Sequence, residues 1–321
     1  MNLNKLRLPN FRTRAPWFGG DLQTIRNSLL RDRADLASWP GTPLQVEAEN
    51  GDRLSGVFHD VPNRTKPLVV LVHGLTGCED SSYVRATARH LLAAGFAVFR
   101  FNLRGAGPSR SFCRAMYHAG RSEDLALVLK SLSAAGHAAK GMFGIGYSLG
   151  GNMLLKYLGE AGADSLISRA LSVSAPLDLE AALVRLEAPR NLPYHRGLLA
   201  RIKSDWRRGP LEMESAQAEV LDTATTIRAF DDGVIAPLNG FADSAEYYAK
   251  CSSIGYLKQI SVPTLLLHGA NDPWIPLHAY DKAGPMSEKI RVEVADGGGH
   301  LGFHGRGGCW YDHCAVELFC A

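Results

Sequence analysis

The chain has 321 residues, of which 46% are hydrophobic and 21% charged, and its 35 basic and 32 acidic side chains leave a net charge of +3. This is the composition of a soluble globular protein of one large α/β domain or two ordinary ones, and its charge balance argues against a nucleic-acid binder, which would normally show a concentrated basic face. Six scattered cysteines without a C-x-x-C pair read as reduced thiols of a cytoplasmic protein; "MNLNKLRLPNFRTRAPWFGG" lacks the apolar core of a signal peptide, and no apolar run is long enough for an integral membrane segment.

Residues 1–40 read as an extended arm with one short helix, "DLQTIRNSLLRD". "LQVEAENGDRLSGVFHD" follows as two strands around an Asn50-Gly51 turn. Strand–helix alternation then begins. "LVVLVHG", "AVFRFNLRG", "GMFGIGYS" and "SRALSVSAP" are short apolar runs, separated by the helical patterns "SYVRATARHLLAAG", "SEDLALVLKSLSAAG" and "LGGNMLLKYLGEAG". Ser122 is the expected N-cap of the second of these helices. Strands spaced by helices of this length pair in parallel, with helices on both faces of the sheet.

The rhythm breaks between 177 and 260, a helical, polar and aromatic stretch with no buried strand, whose basic segment "RIKSDWRRGP" reads as a solvated helix face. "VPTLLLHGAND" and "KIRVEVADGGG" resume the strands, and "CWYDHCAVELFC" is an amphipathic helix. The expected organisation is an arm (1–40), an α/β core with a mostly parallel sheet (41–176 and 261–321) and an inserted helical cap (177–260). The cap aromatics Tyr194, Trp206, Phe230, Phe241, Tyr247 and Tyr248 are expected to wall an acyl pocket.

"GIGYSLGG" holds G-x-S-x-G with Ser148 at a strand-to-helix turn, where small residues on either side avoid clashes and the hydroxyl stands at the C-terminal edge of the sheet. Acyl transfer needs N–H donors aimed at the developing oxyanion. Leu149, just after the serine, and Leu75, in "HGLTG", are the expected pair. His73 is read as structural. A serine also needs a base and an orienting acid, in the chain order Ser, Asp or Glu, His. Asp272, in a turn after a strand, is favoured as the acid over Asp178; Asp231 and Asp232 have no strand to place them. His300, after three glycines that would let its ring swing over the serine, is the expected base. The competing reading of "DGGGHLGFHGRGGCWYDHC" is a zinc site from His300, His304, Cys309, His313 and Cys314, but these ligands run together without the usual paired spacing. His304 is expected to pack or face solvent, and Cys309, His313 and Cys314 to lie on the last helix.

"FGGDLQT", "HGLTGCEDSSYVR", "NLRGAG", "GYSLGGNMLLKYLGE", "FDDGVIAPLNGF", "PTLLLHGANDPWIP" and "GGGHLGF" together resemble the YheT-like α/β-hydrolases, relatives of eukaryotic medium-chain esterases, ester synthases and phospholipases. The resemblance runs from about residue 17 to 319. It implies the α/β-hydrolase fold and a carboxylic-ester hydrolase with its relay on Ser148, Asp272 and His300. The family's G-G-H-L-Q-T departs here to Asp21 at the histidine position. The expected partner is a small-molecule ester, with no metal or organic cofactor. Acyl transfer to an alcohol, or non-catalytic ligand binding on the same fold, are the alternatives.

Overall fold

The computed structural model describes residues 1–30, 34–210, 213–284 and 286–321. Helix α1 (Gly19–Leu30) lies in the arm; the end of its expected span, from residue 31, falls outside the described residues. An antiparallel pair, β1 (Gly41–Glu47) and β2 (Arg53–His59), leads into β3 (Leu68–Val72), α2 (Ser82–Ala93), β4 (Ala97–Asn102), α3 (Ser122–Ala134), β5 (Met142–Tyr147), α4 (Leu149–Ala161) and β6 (Ile167–Val173). Only helices follow among the described residues up to the next strand: α5 (Leu179–Glu187), α6 (Leu192–Arg207), α7 (Ser215–Thr223), α8 (Ile227–Phe230), a π-helical turn (Asp231–Ile235), α9 (Ala236–Leu238) and α10 (Ser244–Cys251). The chain then forms β7 (Thr264–Gly269), α11 (His278–Asp281), β8 (Ile290–Ala295), a small hairpin of β9 (His304–Gly305) and β10 (Gly308–Cys309), and α12 (Trp310–Cys320).

The main sheet has eight strands in the order β1-β2-β4-β3-β5-β6-β7-β8, parallel from β4 through β8 and antiparallel at β1–β2 and β2–β4. Strand β3, near its centre, is apolar throughout because both faces are covered. Along β3, Leu68, Val70 and Val72 join the core beneath α3, α4 and the β6–β7 helices, while Val69 and Leu71 join the opposite core with α2 and α12. No described helix is long and apolar enough to cross a membrane.

Buried polar groups tie the layers together. Arg104 pairs with Asp52 and Asp124, fastening the β1–β2 hairpin to α3. Tyr147 donates to Thr87 at 2.8 Å, and Thr87 to Asp312 at 2.5 Å, linking β5, α2 and α12 under the sheet. Burial, chiefly, pushes the Asp312 carboxyl up to about 7.

Two local expectations change. Ser122 is not the N-cap of α3: the capping position is Arg121, and the Ser122 hydroxyl is drawn instead to Glu160 and Lys156 on α4. Cys309 precedes α12 in the short hairpin rather than lying on the helix.

Candidate active site

The site forms where three loops at the C-terminal edge of the sheet meet α1. Strand β5 runs straight into α4, and Ser148 between them has φ 49° and ψ −119°, a strained backbone for a residue with a side chain. The flanking glycines are sterically required. A Cβ on Gly146 would lie 2.4 Å from Gly150 O, and one on Gly150 2.3 Å from His73 O. Larger residues would push α4 off the sheet and move the serine with it.

The turn after β7 carries Asp272. Its Oδ1 accepts from the N–H groups of Trp274 and Ile275 at 2.8 and 3.0 Å, which fixes the rotamer and leaves Oδ2 for His300. His300 Nδ1 lies 2.9 Å from that oxygen, and Nε2 lies 2.9 Å from Ser148 Oγ. All three side chains are buried. Burial alone would raise the Asp272 carboxyl, but the charge and hydrogen bond of His300, with His268 and the Ile275 N–H, outweigh it and hold it below the ordinary value. The Trp274 ring stacks on the imidazole at 4.4 Å between centroids, a face that favours a positively charged ring.

In the loop after β3, Gly74 N–H donates to the Tyr83 hydroxyl, Thr76 N–H to the Tyr117 hydroxyl and Gly77 N–H to Gly74 O. Leu75 N–H, between them, and Leu149 N–H, at the start of α4, have no acceptor among the described residues. Both residues line a cavity that also touches Ser148. His73 is buried beneath this loop, and burial drives its imidazole down to about 4. As a neutral ring it bonds Gly74 O through Nδ1 and accepts from Leu103 N–H at Nε2, stapling β3 to β4.

The arm contributes contacts that sequence reasoning missed. Thr24 Oγ1 on α1 accepts from His300 N–H at 2.8 Å and donates to Gly20 O at 2.7 Å. Gln23, fully buried, exchanges hydrogen bonds with the backbone of His304, accepting from its N–H at 2.7 Å and donating to its carbonyl at 3.1 Å. The glycines before His300 serve this packing, not swing: a Cβ on Gly299 would lie 2.2 Å from Gly20 O. The available signal was "GGDLQT", a helix without an apolar stripe in which only Gln23 is buried.

The remaining candidates lie apart. Asp178 caps α5, accepting from Ala181 N–H at 3.0 Å. Asp232 accepts from Ser244 N–H, and Asp231 from the Tyr248 hydroxyl at 2.6 Å. His304 is buried against Arg26 and Cys309, and its imidazole is pushed down to about 3, mainly by burial. His313 stands edge-on to His90, and Cys314 is buried in the sheet-side core. No cluster of three or more potential metal ligands occurs among the described residues.

Two cavities meet at Ser148. One, of about 130 Å³, is walled mainly by apolar side chains such as Leu183, Leu186, Ile202, Trp206 and Phe230. Of the six aromatics expected to line an acyl pocket, Trp206, Phe230, Tyr247 and Tyr248 face this cavity. Tyr194 instead bonds Asp21 of the arm, and Phe241 packs on His118 and Tyr247. The other cavity, of about 210 Å³, lies between α1, the loop after β3 and α6.

Residues 67–306 match the sequence profile of the alpha/beta hydrolase fold. The chain is 32% identical over 295 residues to YheT of Escherichia coli (strain K12), named there as a candidate esterase, covering 88% of this chain and 84% of that protein. It is 26% identical over 279 residues to medium-chain fatty acid ethyl ester synthase/esterase 2 of Saccharomyces cerevisiae, covering 79% of this chain and 62% of that protein. Among solved structures, esterase Pf2001 of Pyrococcus furiosus shares the fold with a TM-score of 0.60 at 16% identity, covering 97% of this chain and 98% of that one.

Proposed function

The chain belongs to the α/β-hydrolase family and is YheT-like, and on that premise we propose that it is a serine carboxylesterase for short-to-medium-chain esters, with Ser148 as nucleophile, His300 as general base and Asp272 as the acid that orients it. The observation that carries this reading is the unbroken line from Ser148 Oγ through both ring nitrogens of His300 to Asp272, with 2.9 Å at each step. His300 Nε2 takes the hydroxyl proton as Oγ adds to the ester carbonyl. Leu75 and Leu149 N–H groups receive the oxyanion, for which they are free of internal acceptors. The tetrahedral intermediate collapses as His300 returns the proton to the departing alcohol. Water, deprotonated by the same nitrogen, then releases the acid from Ser148.

The helical segment 177–260 acts in this reading as a cap that covers the acyl chain. A cavity of about 130 Å³ is close to one that takes a benzene-sized group, roughly six carbons. Each methylene buried there contributes about 0.8 kcal/mol, nearly fourfold in affinity. From acetyl to hexanoyl, kcat/KM should therefore rise by about two orders of magnitude and fall for long chains. The same site would serve acyl transfer if an alcohol replaced water, a possibility that the name of the yeast relative supports.

The test is labelling by a fluorophosphonate probe together with hydrolysis of p-nitrophenyl esters of increasing acyl length. Labelling and turnover that vanish in Ser148→Ala support the reading. More than a tenth of wild-type activity in that variant removes Ser148 as nucleophile. A flat profile from acetyl to palmitoyl removes the cap as the acyl gate. Products formed with and without added ethanol separate hydrolysis from transfer.

A further inference from the structure

The two cavities at Ser148 differ in chemistry, and the difference bears on the alcohol half of the ester. They share Leu75, Ser148, Leu198 and Trp274, so a substrate carbonyl at Ser148 has one cavity on either side. Only the larger one is lined by His300. In ester cleavage the alcohol oxygen leaves with the proton carried by the base, so the alcohol must lie on the side of the imidazole. That places the acyl chain in the apolar cavity and the alcohol in the other.

The alcohol side is hydroxyl-rich. Asn27 and Ser28 come from α1, Thr76 from the loop after β3, Ser82 from α2, and Arg201 from α6. No carboxylate lines it among the described residues, and Arg201 is its one cationic residue there. Arg201 is exposed and makes no ion pair with a described residue. A bare hydrocarbon alcohol could pack on Leu198, Trp274 and Leu301 but would strip water from the hydroxyl and amide groups beside them. An alcohol with its own hydroxyls replaces that water, and a compact anion on it finds a wall that offers a guanidinium and no carboxylate.

We infer that the preferred substrates are acyl esters of a small phosphorylated polyol, with the hydroxyls held against α1 and the loop after β3 and the anion held by Arg201. This rests on the esterase reading and extends it to the leaving group. The bond cleaved is the carboxylic ester; the phosphate is carried through unchanged on the released alcohol.

The experiment compares hexanoyl esters of ethanol, glycerol, glycerol 3-phosphate and glycerophosphocholine, with p-nitrophenyl hexanoate as the activity control. The expected order of kcat/KM is glycerol phosphate, then glycerol, then ethanol. One charge-assisted hydrogen bond corresponds to about tenfold between the first two. Arg201→Gln should shrink that ratio by about the same factor, with Arg201→Lys intermediate, and added salt should shrink it in the wild type, as expected for an exposed cation. A glycerol phosphate ester no better than the glycerol ester overturns the inference. So does an unchanged ratio in Arg201→Gln, or a preference for the choline-capped phosphate, which would point to a phospholipid head group. If p-nitrophenyl hexanoate turns over in a Ser148-dependent way while the alcohols rank equally, only this inference fails. If no ester turns over, the esterase reading fails and takes the inference with it.

Discussion

Two buried carboxylates, in the turn after β7 and in the π-helical turn between β6 and β7, show how partners decide what burial does to charge. Asp272 and Asp231 are both largely withdrawn from solvent, and for both the largest influence is the desolvation that raises a carboxyl. Asp272 faces an imidazole that can carry positive charge and two backbone N–H groups, and it ends below its ordinary value. Asp231 faces the Tyr248 hydroxyl, a neutral donor, and has Asp232 beside it. The Tyr248 bond and Arg228 offset the burial and the neighbouring charge only in part, and the carboxyl rises to about 7. One region is built to keep a charge fixed under the sheet edge. The other leaves a carboxyl that changes charge near neutrality on the wall of the apolar cavity.

The sharpest way to break this contrast is Asp272→Asn, which keeps the shape but removes the charge and the acceptor that sets the histidine tautomer. A fall in kcat of about 10⁴-fold is expected with the fold retained; a loss below tenfold, with an unchanged circular dichroism spectrum, would show that the charge held there is not used. Next in size is Thr24→Val, which leaves His300 N–H without its acceptor. An unsatisfied buried donor costs about 1–3 kcal/mol. If the ring shifts to relieve it, kcat should drop by about tenfold or more at unchanged KM, and Thr24→Ser should restore it. Loss of melting temperature without loss of kcat would make Thr24 a purely structural contact.

On the other side of the comparison, Asp231 should make acyl preference depend on pH. Its carboxyl is neutral below about 7 and charged above, so the advantage of hexanoyl over acetyl esters should shrink as pH rises through that value. Asp231→Asn should flatten this ratio between pH 6 and 8, a change of several-fold by the methylene scale; a ratio that still varies in the variant assigns the dependence elsewhere. The smallest effect concerns Asp312, also raised to about 7. Between its ordinary value of 3.8 and about 7 the folded protein holds a proton that the unfolded chain releases, so stability from this group falls as pH rises across that window and stays lowered above it. Asp312→Asn should therefore melt higher than wild type at pH 8 by about 2–4 °C per kcal/mol recovered, and the gain should fade towards pH 4. A variant that melts lower at pH 8 would mean that the Thr87 bond outweighs the desolvation.

Much of the fold was legible because the central strands are short and mainly apolar and the helices between them keep their period, as in β3, α2 and β4. Asp272 is preferable to Asp178 for its place after a strand in the Gly/Asn/Pro-rich turn of "GANDPWIP", whereas Asp178 caps a helix. What stayed hidden depends on contacts far apart in sequence. Gln23 and Thr24 are polar residues on a weakly amphipathic helix, and nothing local says that their partners lie near residue 300. Ser122 read as a cap because propensity describes a helix end in isolation, and the Glu160–Lys156 pair on α4 competes for the hydroxyl. The phenol that bonds Asp231 likewise sits on a different helix, α10. An apolar cavity and a mixed, hydroxyl-bearing one follow from how α1 and the β6–β7 helices close over the same serine, which no single segment encodes.

The docking of α1 against the His300 loop also has a kinetic side. The bonds from Gln23 and Thr24 span 281 and 276 residues, among the widest loop closures the chain must make. Such contacts return no energy until most of the intervening structure exists. During refolding, recovery of helical and sheet signal should run ahead of recovery of Ser148 labelling, because the sheet can assemble before its histidine is seated. Labelling by an active-site probe thus acts as a clock for the last long-range step of assembly, one that a spectroscopic measure of secondary structure would pass over.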